Sequence, residues 1–71
     1  MTEANNIYYG TVKTFDSFKG YGFITREKGK DVFFFYGEII HEEKYLTAGD
    51  KVSFELKMMD KGPRAFSIKK V

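Results

Sequence analysis

Lys19-Gly20-Tyr21-Gly22-Phe23-Ile24, followed after a charged turn by Asp31-Val32-Phe33-Phe34-Phe35-Tyr36, is the most aromatic stretch of the chain. Side chains alternate between the two faces of a strand. Tyr21 and Phe23 therefore share one face, with Ile24 on the other. Phe33 and Phe35 share a face, and Val32 and Phe34 share the opposite one. The intervening Thr25-Arg26-Glu27-Lys28-Gly29-Lys30 supplies a glycine for a tight reversal, so the two runs read as a hairpin, Tyr21 to Arg26 with Asp31 to Tyr36. Aromatic residues favour strands, and most of them are core. Here both faces of each strand are apolar, more than one small core can absorb, and Gly20 and Gly22 thin one face of the first run. Tyr21, Phe23, Phe33 and Phe35 are thus expected to form an open aromatic platform. Rings displayed on a sheet with lysines beside them suit stacked bases.

Working outward, the chain has 71 residues, enough for one domain. A chain of this size buries only about 60% of the surface its unfolded form exposes. It has no cysteine to staple it and a single histidine, which leaves neither a thiolate zinc site nor a two-histidine metal site. No cofactor is expected. No apolar run approaches the ~20 residues that span a bilayer. The start, Met-Thr-Glu-Ala-Asn-Asn, has neither the basic region nor the apolar stretch of a secretory signal. Cytoplasmic residence, and no membrane partner, are the expectations. The formal net charge is only +2. A domain held to nucleic acid by phosphate contacts alone would be more basic, so stacking has to carry the binding, with lysines in support. Eight phenylalanines and five tyrosines, and no tryptophan, are available for it.

Residues 1–7 read as a loose N-terminal segment and 8–71 as the domain. Tyr8 to Phe15 is the first strand, with Val12 in the core and Gly10 at a bend or close backbone approach. Lys13 points to the ligand side and Phe15 lies near it at the strand end. Strict alternation would then turn Thr14 inward, although a bulge near Gly10 could shift the phase. Asp16 to Gly20 is a turn, in which Asp16 and Ser17 can bond their own backbone. Phe18 within it either folds onto the core or stands exposed. Gly37 to Gly49 is the longest connection. A helical turn at Glu38-Ile39-Ile40-His41-Glu42 is too short to stand alone, and Ile39 and Leu46 plug the core ends. Lys51 to Lys57 alternates, placing Val52, Phe54 and Leu56 inside. In the last strand, Arg64 to Lys69, Ala65 and Ile68 both face the core, which breaks the period of two and predicts a twist or bulge near Phe66. Five short strands closing on one core give an all-β barrel, and closure removes exposed edges.

The order and spacing resemble the cold-shock domain family from Gly10 to Ile68. Gly10-Thr11-Val12-Lys13-Thr14-Phe15-Asp16 is similar to the family's first strand, Gly-x-Val-Lys-Trp-Phe-Asn. Lys19 to Ile24 matches its first RNA-binding motif, Lys-Gly-Phe/Tyr-Gly-Phe-Ile. Val32 to Tyr36 resembles the second motif, Val-Phe-Val-His-Phe/Tyr, and Gly62-Pro63-Arg64-Ala65 resembles Gly-Pro-x-Ala. The resemblance implies a five-stranded antiparallel OB-fold barrel that binds single-stranded RNA and DNA without catalysis, as an RNA chaperone or transcription antiterminator. Carried over by position, the nucleic-acid-binding residues are Lys13, Phe15, Lys19, Tyr21, Phe23, Phe33, Phe35 and Tyr36. Arg64 is an open position at the rim.

Three departures from the pattern bear on affinity. Thr14 replaces a tryptophan, and base–aromatic stacking is worth ~1–3 kcal/mol per base. Phe35 replaces a histidine, keeping a ring and losing a hydrogen-bonding edge. Asp16 replaces an asparagine and adds a negative charge near the phosphate path. Phe34, in place of a small aliphatic residue, has to be accommodated by small neighbours such as Gly22 or Ala65. An enzyme is not expected: the carboxylates are scattered among turns, His41 reads as a solvated surface residue, and no nucleotide-binding loop is present. The competing reading is a protein-interaction or dimerisation module using the same aromatic face. Lys13 and Lys19 beside the rings favour a phosphate groove, because interface cores are depleted in lysine. A monomer is expected, with a dimer open.

Overall fold

The computed structural model describes residues 7–40 and 45–71. The helical turn expected at Glu38 to Glu42 therefore falls partly outside the described residues, as do His41 and residues 1–6 of the N-terminal segment; Ile7 already belongs to the first strand. Five strands form a closed barrel in the order β1-β2-β3-β5-β4: β1 Ile7–Asp16, β2 Tyr21–Arg26, β3 Val32–Phe35, β4 Lys51–Met59 and β5 Gly62–Lys70. A 3-10 turn, Tyr36–Glu38, follows β3. The architecture is the OB-type barrel.

β1 closes one side by serving two neighbours. Its first half, Ile7 to Thr11, pairs with β4, and its second half, Gly10 to Asp16, pairs with β2. The other side closes where β3 meets β5 through Phe33 and Arg64, a parallel contact in a barrel whose other strand pairings are antiparallel. The parallel sense follows from the long connection after β3 and the β4–β5 hairpin, which return the chain in the direction it left. An isolated bridge between Ile39 and Ile68 continues that seam.

The core consists of Val12, Ile24, Val32, Phe34, Ile39, Leu46, Val52, Phe54, Ala65 and Ile68, with Phe15 and Leu56 packed against it. Among the described residues no polar or charged side chain is buried. Phe34 is 0% exposed, and its space comes from Gly22: a Cβ there would meet the carbonyl oxygen of Thr14 and lie 2.9 Å from Phe34 Cζ. The glycine between Tyr21 and Phe23 is thus required by the backbone of β1 on one side and a core ring on the other.

Two irregularities reset the alternation. In β1 the register with β2 slips between Val12 and Thr14, which pair with the consecutive residues Ile24 and Phe23. Lys13 is the extra residue, so the bulge falls there and not at Gly10. Lys13 and Thr14 are both exposed, and strict alternation, which would bury Thr14, does not hold. In the β4–β5 pairing the register slips between Ser53 and Glu55, opposite Phe66 to Lys69. Ser67 there takes φ 51, a conformation uncommon outside glycine, and its N–H donates to Glu38 Oε1 at 3.3 Å. This is how Ala65 and Ile68, three apart, both reach the core.

Candidate nucleic-acid interface

β2 and β3 pair Tyr21 with Phe35, and Phe23 with Phe33. Cross-strand partners on one face approach closely, and the inward faces are taken by Ile24, Val32 and Phe34. The remaining rings form one cluster on the barrel's outer surface. Phe33 is its hub: its centroid lies 5.6 Å from Tyr21, 5.6 Å from Phe23 edge-on, and 4.7 Å from Phe35 edge-on. These are favourable aromatic geometries. Phe23 and Phe35 are exposed while Tyr21 and Phe33 are half-buried, so each ring is braced by its neighbours and still meets solvent.

Tyr36 follows Phe35 directly, in the 3-10 turn beyond β3. Its N–H donates to the Gly20 carbonyl at 2.9 Å, holding the 3-10 turn against the β1–β2 turn, and its ring is half exposed. That turn is ordered by Asp16, whose Oδ1 accepts from the N–H groups of Phe18 and Lys19, both at 3.0 Å. The carboxylate expected to disturb the phosphate path is therefore occupied in an Asx-type turn. Lys19 lies in this turn, two residues before Tyr21, and is exposed. Phe18 stands 97% exposed, which settles its two open orientations in favour of solvent.

Two of the expected residues are placed differently from the ring cluster. Lys13 is exposed but makes an ion pair with Asp31 at 2.8 Å, so a phosphate would have to compete with that carboxylate. Phe15, expected on the ligand side with Lys13, is turned by the bulge to the other face. It pairs with Gly22, is half-buried, and stacks on Phe34 at 5.7 Å with Tyr45 edge-on at 5.8 Å. The structure brings Tyr21, Phe23, Phe33 and Phe35 together, ties the Tyr36 backbone to Gly20 in the turn that carries Lys19, and sets Phe15 apart against the core.

Toward β5 the surface continues past the expected rings and takes in Arg64, the position left open at the rim. A groove of ≈ 750 Å³ is lined by Phe23, Phe33, Phe35, Met58, Met59, Asp60, Lys61, Gly62, Pro63 and Arg64. The β4–β5 hairpin forms its far wall. Arg64 lies over Phe35 at 4.6 Å and over Phe66 at 5.0 Å, and Lys57 lies over Phe66 at 4.8 Å. The signal was present in the sequence: with Ala65 inside, Arg64 and Phe66 share the outer face. The parallel seam that puts this face beside Phe33 was not.

Thr14 pairs with Phe23 and is exposed, so it borders the platform. Thr14→Trp is expected to add a stacking surface, strengthening oligothymidine binding by up to ~1–3 kcal/mol. The folded state should change within about ±0.5 kcal/mol, as for other surface substitutions. A fluorescence titration and a urea melt of the variant check both.

A closed OB-type barrel with an aromatic patch on its outer surface defines a small β-barrel binding module. A family model described as the 'Cold-shock' DNA-binding domain matches residues 8–71. Among curated proteins, the Cold shock-like protein of Thermotoga maritima is 49% identical over 63 residues, which cover 87% of this chain and 96% of that protein. Cold shock protein 1 of Lactiplantibacillus plantarum is 47% identical over 60 residues, covering 83% and 91%. The chain belongs to the cold-shock domain family. Its members are non-catalytic modules, in line with the scattered carboxylates of this sequence. Of solved structures, drosophila Unr CSD456 superposes with a TM-score of 0.81 over 96% of this chain and 28% of that chain; at 22% identity the likeness is one of fold.

Proposed function

We propose that this protein binds single-stranded RNA and DNA, taking bases on the rings of Tyr21, Phe23, Phe33, Phe35 and Tyr36, with Lys19 and Lys13 toward the phosphates. The observation that carries the reading is the cluster itself: four rings packed on one another on the outer surface of β2 and β3, each still meeting solvent, with the Arg64 guanidinium over Phe35. Stacking on such rings is sequence-tolerant and serves either sugar, because it does not consult the 2′-hydroxyl. Phe15 would act from below, by holding Phe34 and the β1–β2 junction. A monomeric RNA chaperone or transcription antiterminator working in the cytoplasm is the role this activity fits, since transient stacking of unpaired bases opposes RNA secondary structure.

The barrel offers, among its described residues, no helix to enter a duplex groove. Single strands should therefore compete far better than a duplex of the same sequence; equal affinity would sink the platform. Binding should also weaken only shallowly with salt. Few phosphates can be neutralised by Lys19, Lys13 and their neighbours, so the slope of log K against log salt should correspond to a few released ions. A slope implying eight or more would mean that a different, more basic surface is used. The rival reading, an interface with protein through the same rings, predicts instead a concentration-dependent dimer on sizing and no retardation by oligonucleotide.

A further inference from the structure

We propose that Arg64 selects guanine at the base seated beside Phe35, an assignment that rests on the single-strand reading above. The parallel pairing of Phe33 with Arg64 sets this residue next to the platform. Its guanidinium is held over the rings of Phe35 and Phe66, not by a carboxylate. Among the described residues it makes no ion pair and no hydrogen bond, and its Nε is buried with no partner. A buried donor without an acceptor is costly and rare in a native fold. Here it belongs to a group whose orientation is fixed by aromatic contacts and whose donors are unspent, beside a groove that also carries Met58, Met59 and Pro63.

A guanidinium in that state offers a planar fork of donors. In unpaired nucleic acid the base edges are open to side chains. Guanine presents two neighbouring acceptors, O6 and N7, that match the fork. Adenine presents one acceptor and one donor at the same edge and does not. A purine stacked on the exposed rings would thus be read at its edge by Arg64. Phe66 keeps the fork in place from β5, and Lys57 over the same ring adds positive charge without competing for the base.

The test titrates plain oligothymidine, and the same oligomer carrying one guanine, adenine or 7-deazaguanine, into the wild type, Arg64→Gln and Arg64→Lys. The wild type should prefer guanine over adenine on the order of five- to a hundredfold, the range for one bidentate contact, and lose most of that preference with 7-deazaguanine. Arg64→Gln should shift the preference toward adenine, whose N6 and N7 suit an amide. Arg64→Lys should lose the guanine preference whatever affinity for plain oligothymidine it retains, because it keeps the charge without the fork. Equal wild-type affinity for the guanine and adenine oligomers would overturn the proposal. So would a uniform loss on all oligomers in Arg64→Gln with a salt slope lower by about one, which marks a phosphate contact. Plain oligothymidine failing to bind the wild type would overturn the single-strand reading and this proposal with it; binding without discrimination overturns the role of Arg64 alone.

Discussion

Phe34→Ala is expected to lose about 3–5 kcal/mol of folding free energy, the range for removing a fully buried aromatic ring. Phe34 has no exposure, stacks under Phe15 at 5.7 Å and fills the space left by Gly22. The loss is large against the whole: at ~0.05–0.15 kcal/mol per residue, a chain of 71 residues has on the order of 4–11 kcal/mol in total. The cavity cannot be refilled cheaply, because the lining comes from strands whose positions are set by barrel closure. A urea melt followed by far-UV circular dichroism should show the midpoint fall steeply or no cooperative transition remain. A melt resembling the wild type would mean that Phe34 is not the centre of the core.

Phe33→Ala should have the largest effect on binding among the platform residues. The ring supplies one stacking surface, worth ~1–3 kcal/mol by alanine substitution. It also braces Tyr21, Phe23 and Phe35, so its removal releases three further rings that would then lose freedom on binding. The loss should lie at the upper end of that range and exceed that of Phe23→Ala, whose ring contacts Phe33 alone among the aromatic pairs. The stability cost should be smaller than for Phe34→Ala, because Phe33 already meets water. Titrations and melts on the two variants, compared with Phe34→Ala, separate the faces of a single strand. Phe33→Ala unfolding the protein while Phe34→Ala stayed folded would reverse them.

Much of the barrel could be read from local pattern: alternation in β2, β3 and β4 shows Ile24, Phe34, Val52 and Phe54 as core, and Val12 and Ala65 stand out as the apolar positions of β1 and β5. The platform followed from the same period of two in β2 and β3, where no bulge intervenes. Reading failed where alternation breaks or where contacts are distant. The bulge at Lys13 depends on how β1 shares its length between β2 and β4, which no local pattern states. It turns Thr14 outward and Phe15 inward, the reverse of strict alternation. The irregularity near Phe66 was legible as a conflict between Ala65 and Ile68, but its resolution, positive φ at Ser67 with its N–H held by Glu38, was not. Arg64 could be read only as an open position at the rim. Its place beside Phe35 comes from the parallel seam between β3 and β5, a pairing across a long connection that sequence alone leaves undetermined.

On the proposed function, single-stranded nucleic acid meets the outer face of β2 and β3. Amide chemical-shift mapping during titration with oligothymidine tests it most directly. The largest shifts should fall on Lys19, Tyr21, Phe23, Phe33, Phe35 and Tyr36, with Arg64 at the edge, while Tyr8, Tyr9 and Lys51 on the β1–β4 side stay unchanged. Shifts concentrated on the β1–β4 side, or no shifts at saturating oligonucleotide, would contradict it.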